Sequence, residues 1–217
     1  RSIKADCTYL SRICAAYPEA LRKKLGDDSP GVLWAKGDLS LLNLPKIGLV
    51  GSRELLPENR EFAKEVGRQA ALQGYVLVSG NARGADKAAQ DACLAAGGQV
   101  ISVVADRLDS HGIQENVLYL SEDGFDQEFS AQRAISRNRA LHALGGKTFV
   151  AQCGYQTGGT WDGSVKNLRF GWSPVFCFDD NTEATAQIAQ MGANLITVAD
   201  LQDIGSLTSG QKSFFTE

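Results

Sequence analysis

Short apolar runs alternate with longer stretches of helical periodicity from residue 46 onward. Six runs are rich in β-branched, aromatic and other apolar residues and predict strands, at 47–50, 75–78, 100–104, 147–152, 174–178 and 193–197. Between them, apolar residues recur at helical spacing, as Phe62, Val66 and Ala70 do. This alternation predicts an α/β fold, with an open, mostly parallel sheet and helices on both faces.

Two of the predicted helices carry stripes that we expect to face the sheet. The first stripe consists of small residues, which permit close packing: Ala85, Ala88, Ala92 and Ala96. The second stripe is large and apolar: Trp161, Val165, Leu168 and Trp172. We therefore expect Trp161 to pack in the core rather than to stack on a base.

Other parts of the chain have weaker patterns. Residues 106–130 show little periodicity and are predicted to be a loop with one helical turn at 116–120, whereas 133–144 are predicted to be one helix. Residues 1–45 hold too little apolar surface for a separate domain and are expected to pack onto the sheet. A Rossmann-like domain is then expected at 46–205, followed by a tail at 206–217.

Composition narrows the class of protein. The 217 residues carry 22 Lys and Arg against 25 Asp and Glu, which excludes a uniformly basic surface. Five widely spaced cysteines and two histidines favour reduced thiols in the cytoplasm over disulfides or zinc. No apolar run approaches the roughly 20 residues that span a bilayer. We predict no metal, no cofactor and no membrane contact, and because the chain begins at Arg1 we expect residues to be missing upstream.

Three glycine-rich loops follow the first, second and fourth predicted strands. The carboxyl ends of parallel strands share one edge of a sheet, so the loops should converge on one crevice, where glycine and backbone N–H groups favour a phosphate. The candidate residues are Gly51, Ser52, Ser79, Gly80, Gly84, Asp86, Thr157, Gly158, Gly159 and Thr160. Tight β–α turns are the alternative explanation for the glycines. For Asp86 an interaction with the helix dipole is favoured over metal binding.

Basic residues accompany these loops. Arg133 and Arg137 are four residues apart, so they share a face of their predicted helix. The guanidinium group suits phosphate oxygens, and a basic crevice on an acidic chain is therefore predicted. The candidates are Arg53, Arg83, Arg133, Arg137, Arg139 and Lys166. The alternative is a solvated helix face, with acidic neighbours such as Glu128 as partners.

Four segments together resemble the DprA (Smf) DNA-processing family: 46–53, 78–86, 95–104 and 136–144. Their order and spacing also match, and the resemblance extends over roughly 15–200. It implies an extended Rossmann-like domain that forms a homodimer, binds single-stranded DNA without sequence preference and helps to load a RecA-type recombinase, with no catalysis. The residues it implies as DNA contacts are Gly51, Ser52, Arg53, Arg83, Gly84, Arg137, Asn138, Arg139 and Lys166.

The sequence also departs from that family. Gln90 stands in place of a histidine, Gln152 in place of a glutamate, and residues 157–160 read T-G-G-T rather than S-G-S. The tyrosine-proline pair after Asp109 is absent, and these 217 residues contain no winged-helix module. The T-G-G-T loop leaves one alternative open, a nucleotide phosphoribohydrolase resembling the LOG (lysine-decarboxylase-like) family, in which Asp162 would supply the acid.

Overall fold

A computed structural model describes residues 6–210. These residues form nine strands: β1 (Thr8–Ser11), β2 (Val32–Gly37), β3 (Lys46–Val50), β4 (Val76–Ser79), β5 (Gln99–Val103), β6 (Val117–Ser121), β7 (Thr148–Val150), β8 (Val175–Phe178) and β9 (Asn194–Ile196). They build one sheet in the order β1-β2-β6-β5-β4-β3-β7-β8-β9. The pairs β1–β2 and β2–β6 are antiparallel, and all pairs from β6 to β9 are parallel.

Helices cover both faces of this sheet. They are α1 (Glu19–Leu25), α2 (Pro57–Leu72), α3 (Ala85–Ala95), α4 (Ala131–Ser136), α5 (Asn138–Leu144), α6 (Gly158–Phe170) and α7 (Glu183–Gln190). Leu21, Leu141 and Ile188 place α1, α5 and α7 over one apolar core. Phe62 and Ala89 place α2 and α3 over the core on the opposite face. The predicted α/β fold is confirmed.

The strand order reverses between β3 and β7. The chain runs from β3 outward through β4, β5 and β6, and then returns to lay β7 beside β3, with Val50 opposite Val150. In open α/β sheets the loops diverge at such a reversal and leave a crevice outside the carboxyl ends of the strands. The fold therefore places the loops after β3 and β7 on opposite sides of one opening.

Two predictions for the middle of the chain were wrong. Residues 117–121 are strand β6 rather than a helical turn, and they are buried on both faces, so no polar alternation marked them. The predicted single helix at 133–144 is two helices that meet at Arg137. The break changes the direction in which that arginine points.

The buried faces of two helices also differ from prediction. In α3 the buried residues include Ala89 and Cys93, whereas Ala88 and Ala92 are half-buried and Ala96 is exposed. The error arises because alanines occupy both faces of α3 and give little contrast. In α6 the buried residues are mostly small or polar: Gly163, Ser164, Asn167 and Leu168.

The chain before β3 is joined to the sheet. Strands β1 and β2 extend the sheet beyond β6, and α1 approaches the end of α5, where Lys24 Nζ donates to the carbonyl oxygen of Gly145 at 2.9 Å. Near the other end, Leu207 packs against the core and the Gly210 amide donates to Asn194 Oδ1 at 3.4 Å. The remainder of the predicted tail, 211–217, lies outside the described residues, as do 1–5. Within 6–210 no helix has the length and apolar character needed to span a bilayer.

Candidate nucleic-acid interface

A crevice of about 480 Å³ opens at the carboxyl ends of β3 and β7, and we call it the switch-point crevice. Its walls come from the loop after β3, the start of α3, the α4–α5 region and the loop that precedes α6. The predicted candidates that line it are Gly51, Ser52, Arg53, Asp86, Arg137, Asn138, Thr157, Gly158, Gly159 and Thr160. The sequence predicted that all three glycine loops converge on one crevice, and residues from all three line it, with Ala82 and Asp86 from the second loop.

The loops after β3 and β4 pack directly against one another. The Ala85 amide donates to the carbonyl oxygen of Ser52 at 3.1 Å, and Ser52 Oγ donates to the carbonyl oxygen of Gln152 at 3.2 Å. Gly84 has φ +92°, and a Cβ there would collide with the Ser52 and Arg53 carbonyl oxygens. Glycine at position 84 therefore lets the two loops touch and fixes the backbone that carries Arg53.

Asp86 and Arg137 form the buried base of the crevice. Asp86 Oδ2 accepts hydrogen bonds from the amides of Gly80 at 3.0 Å and Ala82 at 3.2 Å. Arg137 Nη2 lies 3.9 Å from the same oxygen and donates to the Gly80 carbonyl oxygen at 2.9 Å. Burial raises the pKa of Asp86, and the Arg137 guanidinium opposes that change. Asp86 thus holds the loop after β4 in place through the Gly80 and Ala82 amides.

Ser79 is a buried structural residue. Its Oγ accepts a hydrogen bond from Gln90 Nε2 at 2.5 Å, and Gln90 Nε2 also lies 3.0 Å from Ser102 Oγ. The glutamine that departs from the family pattern therefore joins β4 to β5 behind the crevice, and neither Ser79 nor Gln90 lines the opening.

The loop before α6 forms the wall opposite Arg53. Gly158 has φ +82° and begins α6, and the side chain of Thr157 makes no cap hydrogen bond to the helix. Asn138 Nδ2 donates to the carbonyl oxygen of Gly159 at 3.0 Å and fixes α5 against this loop. The first amides of α6 are consequently available to an anion in the crevice.

Arg53 is exposed and lies where three cavities meet. Its guanidinium is 5.7 Å from the ring centroid of Phe129, and it lines the switch-point crevice together with two adjoining cavities. No carboxylate lies within ion-pair distance of Arg53 in the described part of the chain. Arg83 is also exposed and is 3.5 Å from Glu54, a pair in which both side chains are largely solvated.

The arginines of α4 and α5 are occupied by protein partners. Arg133 Nε pairs with Asp123 Oδ2 at 2.9 Å, and Arg133 Nη1 donates to the carbonyl oxygens of Ala105 and Glu128. Arg139 pairs with Glu122 at 3.2 Å. Neither arginine lines the crevice, and the predicted face shared by Arg133 and Arg137 is not solvated, because Arg137 turns inward where α4 ends.

Two predicted residues of α6 lie differently from expectation. Lys166 is exposed, pairs with Asp162 at 2.8 Å and is not among the residues that line the crevice. Trp161 is half-buried rather than fully in the core, and its ring meets Tyr155 edge-on at 5.5 Å. Trp172 is likewise half-buried.

Phe129 was missed by sequence reasoning. Its side chain is 52% exposed and lines the cavity of about 410 Å³ beside the crevice, with Arg53 above its ring. The available signal was two phenylalanines, Phe125 and Phe129, in the otherwise polar stretch 121–130. Phe125 packs against Trp34, and only the structure shows that Phe129 is the exposed one. A large exposed aromatic side chain at a cationic site is typical of single-strand binding surfaces.

Comparison with known proteins assigns the family. The sequence model of the DNA recombination-mediator protein A family matches residues 8–206. The DNA processing protein DprA of Streptococcus pneumoniae is 31% identical over 187 residues, which is 78% of this chain and 64% of that protein. The chain thus spans less than two thirds of the length of that curated relative.

Solved structures show the same fold. The X-ray structure of DprA from Streptococcus pneumoniae superposes with a TM-score of 0.79 at 27% identity, over 93% of this chain and 75% of that one. DNA processing protein A from Helicobacter pylori, described for its single-stranded DNA binding mode, gives a TM-score of 0.75 at 23% identity, over 91% and 94%. This chain belongs to the DNA recombination-mediator protein A family.

Proposed function

We propose that this chain binds single-stranded DNA in DNA processing and recombination, with the strand lying in the switch-point crevice. The observation that carries the proposal is the exposed Arg53 guanidinium, which has no carboxylate partner in 6–210 and lies over the exposed Phe129 ring. A cation beside an aromatic platform suits a strand whose phosphates are charged and whose bases are unpaired.

The remaining walls supply phosphate contacts that are independent of sequence. We propose that the Gly51 backbone and the first amides of α6 bind the sugar-phosphate backbone in the crevice, and that Arg83 binds it in the adjoining cavity. The Ser52 amide already donates to the carbonyl oxygen of Gln152 and lines the crevice without offering a free donor. Hydrogen bonds from backbone N–H groups and arginines to phosphate oxygens do not distinguish one base from another. Phe129 offers a stacking surface that any base can use. Arg137 supports the site from beneath, because its guanidinium is buried against Gly80 and Asp86.

Binding of this kind needs no chemical step, and we propose no enzymatic activity. The phosphoribohydrolase alternative would use Asp162 as an acid, but Asp162 is paired with Lys166 and is not among the residues that line the crevice. Nothing in the site geometry favours that alternative.

Two partner proposals follow from family membership. The family is described as a recombination mediator, which supports partnership with a RecA-type recombinase. The family resemblance also supports a homodimer. Sedimentation of the purified chain, alone and with the recombinase, tests both proposals, and a monomer that does not co-sediment would contradict them.

The central proposal is tested by titrating labelled single-stranded DNA, duplex DNA and a nucleoside monophosphate at low and moderate salt. We expect micromolar or tighter binding of the single strand, weaker binding of the duplex, and affinity that falls as salt rises, since about 0.7 counterion is released per phosphate contact. Binding that is independent of salt, or that prefers duplex, would contradict the proposal. Release of free base from the nucleotide would support the alternative.

A further inference from the structure

A second cavity, of about 800 Å³, lies between α2 and α3, and we call it the α2–α3 groove. Five cations line it: Arg53, Arg60, Lys64, Arg83 and Lys87. Its acidic lining residues are Glu54 and Asp91. The whole chain has more acidic than basic residues, so this excess of positive charge is local and marks the groove as a surface for a polyanion.

The cations of the groove can be reached by a ligand. Arg60 has no carboxylate within ion-pair distance in the part of the chain that the structure describes. Lys64 pairs with Glu61 at 2.7 Å and Lys87 pairs with Asp91, and all four side chains are substantially exposed. Exposed ion pairs of this kind contribute little to stability, so a phosphate can take the place of the carboxylate.

The floor of the groove is apolar. Leu55, Ala88 and Ala92 line it, and all three are half-buried. These are the alanines that the sequence pattern assigned to the sheet-facing side of α3. Their small side chains leave the space open, whereas a larger residue on this face would fill it. An apolar floor between basic rims is suited to bases and sugars that lie flat while phosphates face the rims.

Arg53 and Arg83 connect the groove to the proposed DNA site. Arg53 lines both the switch-point crevice and the groove, and Arg83 lines the groove and the cavity that contains Phe129. A strand that passes Arg53 therefore enters the same cavity that Arg60 and Lys64 line. Those two residues are four apart on α2, which places their side chains on one face about 6 Å apart at Cβ.

We infer that the α2–α3 groove is a second binding segment for single-stranded DNA, which holds the backbone where the strand leaves the switch-point crevice. This inference rests on the proposed single-strand binding and adds to it an exit path. The groove lengthens the stretch of DNA that the protein contacts, so a strand long enough to reach it should bind more tightly than a shorter one.

The test compares an oligothymidylate of about 5 nucleotides, which fills the crevice, with one of about 15 nucleotides, which also reaches the groove. The variant Arg60→Gln/Lys64→Gln is matched by Arg68→Gln/Lys23→Gln, which removes two exposed cations outside the groove. We expect the groove variant to bind the short strand like wild type and the long strand about tenfold more weakly. Its slope of log K against log salt for the long strand should fall by about 1.4, the value for two phosphate contacts.

A gain of affinity provides a second measurement that misfolding cannot imitate. Asp91→Asn removes a carboxylate from the groove and frees Lys87 from its ion pair. The variant should therefore bind the long strand more tightly than wild type does and bind the short strand with the wild-type affinity. If wild type binds both strands but Arg60→Gln/Lys64→Gln binds the long strand as tightly as Arg68→Gln/Lys23→Gln does, the groove inference is overturned and the proposed function stands. If wild type binds neither strand, both are overturned.

Discussion

Arg137 Nη2 lies 2.9 Å from the carbonyl oxygen of Gly80, and this hydrogen bond joins the α4–α5 junction to the loop after β4. A Cβ at position 80 would collide with the guanidinium, so the contact requires glycine there. The same guanidinium is 3.9 Å from Asp86, whose carboxylate fixes the amides of that loop. One buried cation thus holds two walls of the switch-point crevice at once.

Arg137→Ala should destabilise the fold. The substitution leaves Asp86 buried without its cation, and breaking a buried pair in this way costs about 3–5 kcal/mol. Urea unfolding at neutral pH measures the free energy of unfolding. Arg83→Ala, which removes an exposed arginine nearby, is the matched control and should change stability by less than about 0.5 kcal/mol. Equal stability of the two variants would contradict the buried role of Arg137.

Gly80→Ala should also lower the free energy of unfolding, by about 1–3 kcal/mol, because the added Cβ would collide with the Arg137 guanidinium.

Arg53→Ala should weaken single-strand binding without affecting stability. Arg53 is exposed, so the free energy of unfolding should change by less than about 0.5 kcal/mol. Loss of one phosphate contact should lower the slope of log K against log salt by about 0.7. Binding isotherms at several salt concentrations, with a thermal melt, measure both effects. An unchanged slope would place Arg53 away from the phosphates.

Phe129→Ala should weaken binding in a different way. Loss of one base–aromatic stack costs about 1–3 kcal/mol of binding free energy, but no charge is removed. The affinity should therefore fall while the salt slope stays that of wild type. Phe129→Leu keeps an apolar side chain of similar size and is the control for lost packing. If Phe129→Leu binds the single strand with the wild-type affinity, stacking is not the role of the ring.

Glu122 should make stability depend on pH. Burial raises the pKa of Glu122 to about 7, although Arg139 lies 3.2 Å away and favours the ionised form. Because the pKa is higher in the folded state, the folded protein binds this proton more tightly than the unfolded chain does. The contribution of Glu122 to stability is thus greatest in acid and is lost as pH rises through about 7, by up to about 3 kcal/mol.

Glu122→Gln removes this titration. The difference in unfolding free energy between the variant and wild type should change between about pH 5 and pH 8, with the variant gaining relative to wild type as pH rises. Chemical denaturation at several pH values measures that difference. A constant difference would mean that Arg139 keeps Glu122 ionised throughout.

Much of the fold could be predicted from local patterns. The strands at β3, β4, β5, β7, β8 and β9 correspond to apolar runs that are visible in the sequence. Strand β6 was missed because a strand buried on both faces lacks alternation, and it lies in a segment of polar residues and turns. The buried face of α3 was predicted one position away from the observed one. Ala88 and Ala89 are identical in the sequence, and only the residues packed against them show which one is buried.

The sequence by itself determined the α/β alternation and the glycine loops, because strand and helix periodicity and the backbone freedom of glycine are local properties. Only the tertiary structure decided the role of each arginine. Arg133 meets Asp123 and Arg139 meets Glu122 from the end of β6, whereas Arg53 is left exposed above Phe129. An arginine side chain can be buried when folding places a carboxylate or carbonyl oxygen beside it to compensate its desolvation. The partners here are 10 and 17 residues away, so no helix or strand periodicity pairs them in the sequence.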